Sequence, residues 1–162
     1  MPDAIEKDPL FLLYDVARMM RVHADKRART RGMTRAQWVI LVHLERSPGL
    51  SQSELAGLVE VEPITVARLI DRLEARGMVE RRHDPRDRRI WRLHLTDAAD
   101  AELAEIHAYR AELRRVMSDG VDTPAQQVMT NALLRMKENL IADGQPDHEP
   151  AMTGALKAKH HA

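Results

Sequence analysis

The strongest constraint on the fold lies between Ser51 and Thr96. There the hydrophobic period changes from that of a helix to that of a strand, across a run of arginines. SQSELAGLVE and PITVARLIDRLEAR carry apolar residues at helical spacing, the second with Val66, Leu69, Ile70 and Leu73 on one face. Ser51 opens the first of these helices, with Glu54 three residues on completing a capping box. Pro63 suits the first turn of the second, and Gly77 stops it. Beyond Gly77 the pattern becomes two-fold: Trp91, Leu93 and Leu95 alternate with Arg92 and His94, the signal of a half-buried strand. Asp84-Pro85-Arg86-Asp87 has turn chemistry. The spacing predicts two helices joined by a short turn around Val61-Glu62, then a two-stranded hairpin. Arg81 and Arg82 fall on its first strand and Asp84 to Arg89 form its tip. Trp91, Leu93 and Leu95 are expected to anchor the return strand to the core.

Further helices flank this module. From Asp8 to about Arg29, Leu10, Leu13, Ala17, Met20 and Ala24 recur at helical spacing until Gly32 breaks the pattern. Thr34 is the expected N-cap of TRAQWVILVHLER, which ends before Ser47-Pro48-Gly49. After Thr96 a helix carries Leu103, Ile106, Leu113 and Met117 and closes at Asp119-Gly120. Another runs from about Thr123 to Ala142 through Val128, Ala132, Met136 and Leu140. The remaining segment, 143–162, mixes Pro, Gly and charge without a pattern and reads as a disordered tail. With only 3% aromatic residues, the core must be built from aliphatic side chains and Met, which suits packed helices. The expected fold class is mainly α, with one small β-element.

Composition also narrows function. The absence of cysteine excludes disulfides, thiolate metal sites and thiol redox switching. The eight histidines are scattered, and His160-His161 lack a helical partner set, so no metal site and no cofactor are expected. There is no Gly-rich phosphate loop, nucleophile elbow or H-E-x-x-H motif, so an enzyme is not expected. No apolar run approaches bilayer length and the N-terminus lacks a signal peptide's pattern, so a soluble, cytoplasmic protein is expected.

Two helices joined by a short turn form a helix-turn-helix scaffold, whose second helix enters the major groove of DNA. Here that helix begins at Pro63, and its outer face carries Thr65, Arg68, Arg72 and Arg76. Arg68 can make a bidentate contact to guanine, whereas Arg72 and Arg76 lie further along, nearer the DNA backbone. Taken alone, this face is equally a solvated one, with Arg68 and Arg72 close to Glu74. The hairpin favours the DNA reading. Arg86, Arg88 and Arg89 place positive charge at the tip of a rigid ribbon, where an arginine can enter the minor groove. Asp84 and Asp87 are read as braces that pair with neighbouring guanidiniums.

The run SQSELAGLVEVEPITVARLIDRLEARGMVERRHDPRDRRIWRLHLT resembles the winged helix-turn-helix of MarR-type transcription regulators. The specific signal is DPRDRR followed six residues later by LT, preceded by L-x-x-R-G-M-V-E-R; TRAQWVIL is closest to the SlyA branch. One departure is Asp100 after Ala98-Ala99, where many members have glycine; an alanine-rich start simply favours helix. The resemblance implies a winged-helix module over 34–96, and dimerisation helices over 8–30 and 97–142. It also implies a homodimer on a roughly palindromic operator. Thr65 and Arg68 match the family's base-reading positions, Arg89 the minor-groove arginine, and Ser51 and Ser53 would hold phosphate. A repressor is expected, released by a small aromatic carboxylate or phenolic effector. Arg18, Arg21, His23 and Trp38 are the candidates to bind it, although Trp38 is equally a core residue. A ligand-independent regulator, an antirepressor or an architectural DNA-binding protein fits the same fold.

Overall fold

The computed structural model of the chain describes residues 7–59 and 61–143. Helix α1, Pro9–Thr30, starts where the Asp8 carboxylate accepts the Phe11 N–H at 3.2 Å, with proline in the first turn. It ends at Gly32, whose φ of 64° reverses the chain without a Cβ penalty. Helix α2, Arg35–Arg46, begins with a reciprocal box between Thr34 and Gln37. Helix α3 spans Gln52–Val59 and α4 spans Pro63–Ala75. Strands β2, Val79–His83, and β3, Trp91–Leu95, form the expected hairpin. A 3-10 turn at Asp97–Ala99 leads into α5, Asp100–Met117, and α6 covers Thr123–Asp143.

The sheet has three strands rather than two. Leu50–Ser51 forms a short strand, β1, paired antiparallel with β3 through Leu50 opposite Leu93 and Ser51 opposite Arg92. The order is β1-β3-β2. Ser51 therefore serves twice, as the end of β1 and as the cap of α3. Its N–H donates to the Glu54 carboxylate at 2.7 Å, and its hydroxyl accepts the Glu54 N–H at 3.2 Å. A two-residue strand has too little periodicity to show in a sequence; it exists because β3 leaves an edge to be paired.

Internal packing divides the chain into two compact units, separated in sequence between Leu113 and Arg114. In the first, Trp38, Leu41 and Leu44 of α2 share a buried core with Leu55 of α3 and Leu73 of α4. Leu93 of β3 and Ile106 of α5 complete it. All four residues predicted for the inner face of α4 (Val66, Leu69, Ile70 and Leu73) are buried. Helix α1 contributes only Ala28 as a buried residue. Leu10, Leu13 and Met20 of its predicted stripe are exposed, as are Phe11, Leu12, Val16 and Met19 on its other faces. In the second unit α6 buries no side chain at all; Val128, Leu133, Met136 and Leu140 stand in solvent. Residues 143–162, expected as a tail, begin with the last residue of α6, and 144–162 lie outside the described residues. No helix among the described residues is long and apolar enough to cross a membrane.

Candidate nucleic-acid interface

Helix α4 presents Thr65, Arg68 and Arg72 to solvent. Neither Arg68 nor Arg72 has an ion-pair partner among the described residues. Glu74, their expected neighbour, instead takes Arg81 of β2, which also reaches Asp71 at 2.6 Å. The competing carboxylates on α4 are thus neutralised from the sheet, and the two helix guanidiniums remain available to a ligand. Arg76 behaves differently from its expected place near DNA. It donates to the carbonyls of Gly32 at 3.0 Å and Arg31 at 3.5 Å, tying the end of α4 to the end of α1.

The arginines of the hairpin also divide by role. Of the six in residues 81–92, four are paired: Arg81 with Asp71 and Glu74, Arg82 with Glu80, Arg89 with Asp87, and Arg92 with Asp84 and Glu54. Arg86 and Arg88 are exposed and have no ion pair among the described residues. The net field of the tip therefore comes from fewer free cations than the sequence count suggests.

The aspartates act as braces. Asp84 is 8% exposed; its Oδ1 accepts the N–H groups of Arg86 at 2.7 Å and Asp87 at 3.2 Å, and its Oδ2 accepts Arg92 Nε at 2.7 Å. Asp87 accepts the N–H and Nε of Arg89 at 3.0 Å each. The Asp84 N–H donates to the Ile90 carbonyl at 2.9 Å and closes the tip. Arg89, the expected minor-groove residue, keeps 90% of its side chain exposed while held at one edge. Arg92, a strand residue to which the sequence pattern assigns no role, is the hub of the wing. It joins Asp84 of the tip, Glu54 of α3 at 2.8 Å and the Gly49 carbonyl at 3.2 Å. Its partners at Gly49 and Glu54 are distant in sequence, so no local pattern could reveal it.

Trp91 corrects another expectation. It does not anchor β3 to the core but is 44% exposed, stacked on His83 with ring centroids 3.8 Å apart. Leu93 alone among the three alternating residues is fully buried, and Leu95 is half-buried.

Hydrogen bonds to the charged form hold three carboxyls below their usual range. For Asp84 the Arg86 N–H contributes most and then Arg92; for Asp87 it is the Arg89 side chain; for Glu54 it is the Ser51 N–H. A carboxyl whose folded-state value is depressed adds stability that is complete above its unfolded value, about 4. That stability disappears as pH falls through the lower folded value. Urea unfolding midpoints are expected to drop more steeply below about pH 4 in the unaltered protein than in Asp84→Asn, with no difference in slope between pH 5 and 7. Parallel curves below pH 4 would show that the Asp84 brace is not formed in solution.

A cavity of about 480 Å³ lies in the same unit, walled by α1, α2 and α5. Ala17, Met20, Ala24, Val39, Val42 and Ile106 make it apolar, and Trp38 forms one wall. Of the four candidate effector residues, Arg21 and Trp38 line it. Arg18 is tied to Asp15, and His23 stacks against Tyr109 outside the lining. Arg35, Arg110 and His43 complete the polar lining, and no local pattern in the sequence marks them for it. The Arg35 Nε is buried without a hydrogen-bond partner, its closest carboxylate oxygen being Asp25 Oδ1 at 3.7 Å. Trp38 Nε1 donates to the buried Glu102 carboxylate at 2.7 Å, which also receives Arg31 at 3.4 Å. No group of side chains that could hold a metal ion occurs among the described residues.

The family model described as MarR matches residues 33–91, from the start of α2 to the wing. A solved structure of the transcriptional regulator PA3341 is 38% identical and superposes with a TM-score of 0.71 over 81% of this chain and 96% of that one. The transcriptional regulator SlyA is 26% identical, with a TM-score of 0.73 over 85% and 96%. The MepR–DNA complex of S. aureus shares the fold at 20% identity, with a TM-score of 0.69 over 83% and 98%. A helix-turn-helix with an uncommitted outer face, a braced arginine wing and these likenesses agree: the chain belongs to the MarR family of winged-helix transcriptional regulators.

Proposed function

We propose that the chain is a homodimeric repressor that binds a roughly palindromic DNA operator and leaves it when a small aromatic acid occupies the cavity beside Trp38. The observation that carries the DNA reading is the outer face of α4, where Thr65, Arg68 and Arg72 are exposed and their competing carboxylates are taken by Arg81. Arg68 and Thr65 read base edges in the major groove, and Arg72 holds the backbone. Arg86, Arg88 and Arg89 follow the duplex to the minor groove. Ser53 is exposed on the first turn of α3, and the Ser51 hydroxyl, although it accepts from Glu54, keeps its hydrogen to donate to a phosphate. The MepR complex is a precedent for DNA on this fold.

Dimerisation is supported by the unburied apolar surface of α1 and of α6, each too apolar on its outer faces to stand in water alone. A two-fold dimer places two copies of α4 about one helical turn of DNA apart. Its role is binding without chemistry. The test is selection of fragments from random duplex DNA, followed by competition gel shifts. A palindrome preferred more than ~10³-fold over bulk DNA is the expected result. Sequence-blind binding would favour an architectural role instead.

The effector reading rests on the cavity, whose volume falls within the usual ligand range of roughly 300–1,000 Å³. An aromatic carboxylate would stack on the Trp38 indole and satisfy Arg35 Nε, with Arg21 and Arg110 adding charge. Trp38 and the end of α4 share a run of bonds: Trp38 to Glu102, Glu102 to Arg31, and the Arg31 and Gly32 carbonyls to Arg76. Movement of the indole would thus strain the attachment of α4. Benzoate is expected to quench Trp38 emission in a Trp91→Phe protein, and Arg35→Ala to weaken that binding about tenfold. Unchanged emission at saturating millimolar benzoate would remove this ligand class.

A further inference from the structure

We propose that Trp91, positioned by His83, is a DNA contact of the wing, its indole lying against the deoxyribose-phosphate backbone between the major and minor grooves. This rests on the DNA-binding reading above and adds to it a contact that the arginines do not supply.

His83 faces Trp91 across the hairpin, Arg81 faces Leu93 and Val79 faces Leu95, so these six side chains share one face of the sheet. Val79 and Leu93 are buried, and Arg81 reaches across to Asp71 and Glu74 of α4. That face is therefore turned towards the recognition helix. The His83–Trp91 pair is its outermost step, two residues or about 7 Å beyond Arg81 along the strand, where the core has ended and solvent begins. An indole at this position is not needed to fill the core, because Leu93 already does so.

The ring is nevertheless held firmly. The His83 and Trp91 rings stack with centroids 3.8 Å apart and planes inclined by 29°. His83 Nδ1 lies 2.9 Å from the Arg88 carbonyl oxygen. A carbonyl only accepts, so Nδ1 carries the proton and donates. One imidazole thus fixes the indole plane on one side and the wing tip on the other. A stacked, half-exposed aromatic pair that is immobilised in this way loses little freedom when it binds a partner.

Charge selects the partner. The tip that continues from the pair carries Arg86 and Arg88, exposed and without ion pairs among the described residues, and the exposed Arg89. Both tip aspartates are consumed by internal bonds. An apolar platform next to a cationic tip matches the alternation of sugar and phosphate along a duplex. A contact of this kind reads no base, so it adds affinity without adding sequence preference.

The experiment uses the full chain labelled with 5-fluorotryptophan, which carries two fluorine signals because the chain has two tryptophans. Trp91→Phe assigns them, so the buried Trp38 need not be altered. Titration with a random 30-base-pair duplex and with the selected operator is expected to shift and broaden the Trp91 signal in both cases. Trp91→Ala is expected to lower affinity about tenfold on both duplexes, two wings acting together, with the preference between them unchanged. Trp91→Phe should recover most of that loss. His83→Ala should lower affinity as well and should broaden the Trp91 signal before DNA is added, which a role confined to folding would not do. A Trp91 signal unmoved at DNA saturation, with Trp91→Ala binding as the unaltered protein does, overturns the contact. Failure of both duplexes to bind in gel shifts overturns the DNA reading itself, and this contact with it.

Discussion

Arg68→Ala is expected to erase the preference for one base pair in each half-site while leaving affinity for random DNA close to that of the unaltered protein. Arg68 sits on the exposed face of α4, and its guanidinium has no ion pair among the described residues, so all of its donors are free for a base edge. A bidentate contact to guanine discriminates by about 1–3 kcal/mol. The proposed homodimer would make the contact twice, so the specific complex should weaken by roughly 2–6 kcal/mol, or about 30-fold to 10⁴-fold. Competition gel shifts with operators substituted at single positions would locate the lost preference. Equal losses on operator and random DNA would mean that Arg68 touches only phosphate, in which case the salt dependence should flatten by about one phosphate per protomer.

The second large effect concerns the support of that helix. Leu73→Ala is expected to destabilise the fold by about 2–5 kcal/mol, a large part of the roughly 5–15 kcal/mol of a typical domain. Leu73 is fully buried on the inner face of α4. Its carbonyl accepts the Met78 N–H at 3.0 Å, just beyond Gly77, whose φ of 70° turns the chain into β2. Removing the isopropyl group beyond Cβ leaves a void where α4 meets the sheet, and rigid neighbours collapse into it only in part. Urea denaturation followed by far-ultraviolet circular dichroism measures the loss, with Arg68→Ala as an exposed control that should change stability by less than about 0.5 kcal/mol. A loss below about 1 kcal/mol for Leu73→Ala would show that α4 is not held through this face.

These two residues lie on opposite sides of one helix, and the amino-acid pattern alone separates them. The spacing of Val66, Leu69, Ile70 and Leu73 assigns the inner side, and what remains faces outward. The caps at Thr34 and Ser51 are equally legible, since a cap is a contact across about three residues. Asp84 and Asp87 read as braces for the same reason, because most of their partners lie within the tip. Trp91 is misplaced by the same rule that places its neighbours. Alternation identifies the face of a strand but does not say where along the strand the core ends.

The amino-acid pattern alone is enough for the set of helices, the caps at Thr34 and Ser51, the inner face of α4 and the hairpin. These follow from periods of 3.6 and 2 and from bonds spanning a few residues. The folded arrangement alone set which arginines are free. Arg76 is spent on α1, Arg81 on α4 and Arg92 on α3 and the tip, whereas Arg68, Arg72, Arg86 and Arg88 have no ion pair among the described residues. It also decided the pairing of β1 and the meeting of Trp38, Arg35 and Arg110 around one cavity. Charge is written in the sequence residue by residue, but partnership is set by distance in space between segments far apart along the chain.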